Sequence, residues 1–125
     1  MKSLTRGVWL ILFVLALGLV PALQAEGDYY AAIAYSPSTG RWGYGTAFAT
    51  RSDAIIRALK ECKSDDAVMY SCHNEWIALA LSNEKKGGFG WASAPTAAEA
   101  EKLATDACLA RNPDAHIVIC VAAFR

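Results

Sequence analysis

A chain of 125 residues has room for an export segment and one domain of about 100 residues, not two. Its twelve Lys/Arg and twelve Asp/Glu cancel, and without residues 1–25 the balance is ten against twelve. No basic run remains beyond Lys85-Lys86, which disfavours nucleic acid and anionic membrane surfaces, because phosphate neutralisation supplies most of such affinity.

Residues 1–25 read as a cleaved signal peptide. Lys2 and Arg6 give a positive start, and Val8 to Val20 is an almost pure apolar stretch. About 13 apolar residues fall short of the roughly 20 that span a bilayer. Pro21 then precedes Ala22-Leu23-Gln24-Ala25, a small-residue cleavage site. The product from Glu26 to Arg125 is expected in the periplasm or outside the cell, with no stable membrane insertion after cleavage.

From residue 29 onward one pattern is written twice, about 46 residues apart. In the first unit Tyr29–Ser36 reads as a strand, Pro37-Ser38-Thr39-Gly40 as a turn, and Trp42–Ala49 as the returning strand. Helical spacing follows, with Ala54, Ala58 and Cys62 on one face beside Ile55 and Leu59. Val68–Cys72 is a third strand, and His73-Asn74-Glu75 turns into the next unit.

The second unit repeats this order. Trp76–Ser82 and Phe89–Ala94 are strands around the polar turn Asn83–Gly88. Thr96 and Glu99 make a capping-box signature for a helix whose apolar face carries Ala100, Leu103, Ala104, Ala107 and Cys108. His116–Phe124 is the last strand, apolar at both parities, which predicts a central position buried on both faces.

These elements define an α+β domain made of a duplicated β-β-α-β unit (about 29–75 and 76–125). The expectation is a mixed, mostly antiparallel sheet with two helices. Alanine fills about a fifth of residues 26–125, so the core looks thin and a covalent framework would matter. Four cysteines in an exported chain of this size predict two disulfides. Three connectivities of Cys62, Cys72, Cys108 and Cys120 respect the duplication. Local geometry favours Cys62–Cys72 and Cys108–Cys120, each joining a helix end to the strand it leads into. The spacings C-x9-C and C-x11-C lack the tight knuckles of zinc sites, and neither a metal nor another cofactor is expected.

The duplicated A-[IL]-A-[LY]-S strand, the W-G-Y and F-G-W return strands and the helix ending in cysteine carry a resemblance. The chain resembles Domain of Unknown Function 4189, a group of mostly exported bacterial proteins, over about residues 30–124. The family has no agreed activity, so the resemblance implies no catalytic residue. Many members place a cysteine just before the second A-L-A strand, where this chain has Trp76, so no pairing scheme transfers.

Candidate chemistry is sparse. His73 stands near Ser71 and Glu75, with Asp65 or Asp66 as a conceivable acid, and His116 starts the last strand. No G-x-S-x-G, H-E-x-x-H or S-x-x-K motif accompanies them, and no C-x-x-C marks a redox site. No two carboxylates are singled out as a glycosidase pair, and no calcium loop is present. The constellation that stands out is aromatic: Trp42 and Tyr44 share one face of the second strand, and Phe89 and Trp91 hold the matching places in the second unit. Alternating glycines leave the opposite face bare, where a helix or backbone could approach. The rings read either as the sheet's core or as a candidate binding surface for a sugar, a peptidoglycan fragment or a partner's side chain.

The function expected is a small exported interaction domain without catalytic machinery. It would recognise an unknown protein or glycan of the cell envelope, in the manner of an inhibitor or immunity protein. The alternatives are a cell-envelope hydrolase using His73 and a structural envelope protein.

Overall fold

A computed structural model describes residues 27–125; the signal segment expected over residues 1–25 lies outside them. The first strand, β1 (Tyr30–Tyr35), sorts its side chains by size. Ala32 and Ala34 point to one face, and Ala31, Ile33 and Tyr35 to the other. β2 (Trp42–Phe48) and β3 (Val68–His73) flank it antiparallel on either side, giving the order β2-β1-β3. Between them, α1 (Arg51–Cys62) packs on the alanine face through Ala54, Ala58 and Cys62.

The second unit builds the same object. β4 (Trp76–Leu81) is central between β5 (Phe89–Ala94) and β6 (His116–Ala122), all antiparallel. α2 (Ala97–Leu109) covers Ala78 and Ala80 with Ala100, Ala104 and Cys108. Leu103, expected on the buried face of α2, is 43% exposed. The helix seats itself by its smallest side chains, and a leucine one position off that line is pushed outward.

The large faces of the two sheets meet. Ile33, Tyr35 and Cys72 from the first sheet and Ile77 and Leu79 from the second form one cluster. The order of layers is therefore α1, first sheet, second sheet, α2. The expected single mixed sheet is in fact two three-stranded antiparallel sheets, each unit covering the other. At one corner β2 touches β6, where the Ala47 amide donates to the Ala123 carbonyl at 3.0 Å and the Thr46 hydroxyl donates to the Ala122 carbonyl. At the other corner β3 touches β5, where the Tyr70 ring stacks on Trp91 at 5.6 Å. The second strand of each unit thus lies against the third strand of the other, as an approximate twofold relation requires.

Local chemistry starts and stops the helices. Thr50 Oγ1 accepts from the Asp53 amide at 3.1 Å, and Thr96 Oγ1 from the Glu99 amide at 3.2 Å. Such caps are worth about 1 kcal/mol each. α1 ends on Lys63 in the left-handed region (φ 54°). α2 is closed by Asn112, whose amide and side-chain Nδ2 both donate to the Cys108 carbonyl, at 3.0 and 2.8 Å.

The last strand departs from the expectation of a central position. β6 is an edge strand, hydrogen-bonded to β4 alone. Its register slips between Ile117 and Ile119, so Val118 is an extra residue, and a bulge of this kind breaks strict alternation. Val118, Ile119 and Val121 all pack into the space between the sheets, while Ile117 and Cys120 pack under α2. Apolar residues at both parities reflect the bulge and a two-sided cover, not a central place.

The four cysteines also depart from expectation, for all are free thiols. Cys62, the last residue of α1, is buried between that helix and the first sheet, and Cys72 lies between the sheets, on the opposite face of the first sheet. Cys108 and Cys120 do share a layer. However, Cys108 ends α2, whereas Cys120 Sγ lies 3.8 Å from the carbonyl of Ala97, at the helix start. Eleven helical residues span roughly 16 Å, far beyond the reach of about 7 Å between bridged Cα atoms. Adjacency of helix end and following strand in sequence does not bring these sulfur atoms together.

Candidate functional site

The four aromatic residues of the candidate surface sit on the inner faces of the two outer strands that open each hairpin's return. Trp42, Phe89 and Trp91 are half-buried and pack against the cluster between the sheets. Phe89 leans on Tyr35 at 4.8 Å and on Trp91 at 5.1 Å, and Trp91 stacks on Tyr70. Trp42 stands on the other sheet, paired in register with Tyr35. The rings are brought together as interior packing more than as a shared flat surface. Tyr44 differs: it is 40% exposed.

The bare opposite face has the use that its glycines suggest. A Cβ on Gly43 would stand 2.5 Å from the amide nitrogen of Cys62, and one on Gly90 2.3 Å from that of Cys108. Helix backbone therefore rests directly on strand backbone, which brings α1 and α2 down onto their alanine stripes. Close contact here explains why so much alanine can hold a domain together.

Beside Tyr44 the free edge of β2 forms a groove of 310 Å³, walled by Tyr44, Gly45, Thr46 and Phe48 and, from α1, by Arg57 and Glu61. The Arg57 guanidinium lies over the Phe48 ring at 5.8 Å. An aromatic ring, a cation and a carboxylate converge there, a set suited to polar ligands with apolar faces. A second depression of 370 Å³ is walled by the two ends of the described chain, Gly27 and Arg125. Arg125 already covers the Tyr29 ring there, at 5.6 Å.

The histidines are placed away from this groove. His73 ends β3, stacks on Tyr30 at 4.8 Å and meets Asp28 Oδ1 through Nε2 at 2.8 Å. Ser71 Oγ instead accepts from Arg51 at 2.6 Å. No hydrogen bond joins Ser71 to His73. Asp66 lies at the far end of the strand, roughly 17 Å along the chain from Ser71, where it is held by Ser36. His116 starts β6 beside Asp114.

Sequence reading missed a paired device at the hairpins. Ser36 Oγ donates to Asp66 Oδ1 at 2.5 Å and Ser82 Oγ to Asp114 Oδ1 at 2.5 Å. The second oxygen of each carboxylate accepts a backbone amide, from Ser38 at 3.1 Å and from Asn83 at 3.0 Å. These bonds, the serine hydroxyl first, hold both carboxyls below the ordinary carboxylate range. The repeat held the signal: a serine closing each central strand and an aspartate opening each third strand.

The thiols are held inert. Burial pushes Cys72 and Cys120 up to about 11 and raises Cys62 and Cys108 as well, and a thiol kept protonated is a poor nucleophile. Among the described residues, no group of three or more His, Cys, Asp or Glu side chains gathers to hold a metal ion.

Two stacked antiparallel sheets with a helix on each outer side, built from one unit repeated, define the class: a duplicated α+β sandwich domain. The chain belongs to the family described as domain of unknown function (DUF4189), which matches residues 30–121. No curated protein and no solved structure was found to match it.

Proposed function

We propose that this domain is a non-catalytic binding module, exported to the periplasm or beyond the cell, that recognises an envelope protein or glycan through the Tyr44 groove. The observation that carries the reading is the exposed Tyr44 ring beside Arg57 and Glu61 on a free strand edge. Its three companion rings serve the interior, so a ring left in the open at an aromatic position is the feature packing does not explain. Sugars and peptide side chains both stack on such rings and hydrogen-bond to flanking charged groups. Export rests on the positive, apolar and small-residue order of residues 1–25. Burial of Cys62, Cys72 and Cys108, with Cys120 half-buried, is compatible with an oxidising compartment, because oxidants reach such thiols slowly.

The test is titration of the isotope-labelled protein with muropeptides and with envelope protein fractions, read by amide shifts. Binding should perturb Gly45, Thr46 and Arg57 and weaken about tenfold or more in Tyr44→Ala, with thermal stability unchanged. Perturbation elsewhere, or affinity indifferent to Tyr44 and Arg57, would refute the groove.

A further inference from the structure

The two open sides of the sandwich are not alike. On the β2/β6 side each edge carries a bulge, and two hydrogen bonds, from Ala47 and Thr46 to Ala123 and Ala122, cross between the sheets. Bulges and cross-links of this kind blunt an edge against strand addition. On the other side β3 runs in unbroken register with β1, and β5 with β4. No proline or lysine interrupts either strand, and Val68 and Met69 are 40% and 48% exposed.

Pairing alternation tells which backbone groups are free. The Asn74 amide donates to the Tyr29 carbonyl, so Cys72, Tyr70 and Val68 also bond inward to β1. Met69, Ser71 and His73 then turn their N–H and C=O groups outward. Beside them lies Arg51, held over the Tyr30 ring at 5.0 Å with its Nη1 on Ser71 Oγ at 2.6 Å. Among the described residues Arg51 has no carboxylate within ion-pair distance; the salt bridges are His73–Asp28 and Lys102–Asp106.

We infer that the outer edge of β3 is a second binding surface, which takes an extended segment of another protein by antiparallel strand addition, with an Asp or Glu opposite Ser71. In a hydrogen-bonded antiparallel pair the two side chains share a face at a Cα separation of about 5.5 Å. A carboxylate opposite Ser71 therefore reaches Arg51, where charge-assisted bonds form. Self-association through this edge is disfavoured by the same geometry. The register centred on Ser71, which pairs Met69 with His73, sets Ser71 opposite Ser71 and brings two Arg51 cations together across the twofold axis. The residue facing His73 should be neutral, because Asp28 already occupies that imidazole.

The probe is an N-acetylated, C-amidated heptapeptide, Ser-Thr-Val-Glu-Val-Leu-Ser, compared with its Gln counterpart on the full chain. The Glu peptide should protect the amides of Met69, Ser71 and His73 from hydrogen exchange. It should also bind about tenfold tighter than the Gln peptide. Arg51→Gln should erase that preference, and N-methylation of the peptide's Glu should abolish binding without touching the protein. Tyr44→Ala should leave all of this unchanged, so failure here and failure of the β2 groove are read separately. Equal affinity of the two peptides, protection confined to other strands, or survival of binding after N-methylation would overturn the inference. So would a dimer in sedimentation whose β3 amides are protected without peptide.

Discussion

Gly90 lies directly beneath the end of α2, so close that a Cβ there would stand 2.3 Å from the Cys108 nitrogen and 2.8 Å from the Ala104 carbonyl oxygen. Both obstacles are helix backbone, which cannot swing aside as a side chain can. Gly90→Ala must therefore lift α2 from its sheet, at a cost of about 3 kcal/mol. Chemical denaturation should show that loss, and the melting temperature should fall by roughly 10–20 °C. A variant that melts with the parent protein would mean that the helix does not rest on this strand.

The hairpin aspartates set an acid limit. Their pKa values are lowered in the folded state by Ser36 and Ser82. The stabilisation is complete above the unfolded carboxylate pKa of about 4 and is lost as pH falls through the lower folded value. Melting temperature measured from pH 7 down to pH 2 should drop more steeply in the parent protein than in Asp66→Asn/Asp114→Asn. Parallel curves would show that these carboxylates contribute nothing to the acid transition.

Thiol accessibility follows from the layers. With Cys72 and Cys120 held up to about 11, iodoacetamide at pH 8 should label the folded protein slowly and all four cysteines promptly in denaturant. Mass spectrometry of non-reduced peptides should find no Cys62–Cys72 or Cys108–Cys120 link. Recovery of either link would contradict the placement of these residues on separate faces and at separate helix ends.

Ala47 holds a positive φ of 64° at the bulge where β2 turns its amide to Ala123. An L-residue other than glycine is disfavoured there by about 1–2 kcal/mol. Ala47→Gly should remove that cost and, after glycine's own entropy loss, gain about 0.5–1 kcal/mol in urea denaturation. A loss of stability would show that the methyl group matters more than the backbone.

Much of this fold is legible before any coordinates. Thr50, Thr96 and the alanine stripes of both helices announce themselves by local rules, and the six strands lie within two residues of where alternation puts them. The glycine-for-contact reading of Gly43 and Gly90 also holds, because a missing side chain in a strand asks for a neighbour. What escapes is set at long range. The bulge at Val118 is one residue in length yet reverses parity for the rest of β6, and no propensity reports it. Cys62 and Cys72 look adjacent in sequence, but a sheet stands between them. Tyr44 and Trp42 have equal claims to the surface until the second sheet covers one more than the other. The Ser36–Asp66 bond joins residues thirty positions apart, and only comparison with Ser82 and Asp114 could have suggested it.

Because each sheet hides its broad face only against its twin, half of this molecule is not a smaller version of the whole. During synthesis Ile33, Tyr35 and Cys72 have no dry place to go until residues 76–123 have been made. The nascent first unit is left wet on one side, and completion of the second acts as the closing event. A polypeptide of this design postpones its own maturation until its second unit has been synthesised, with little finished structure to undo should it first have to be threaded elsewhere.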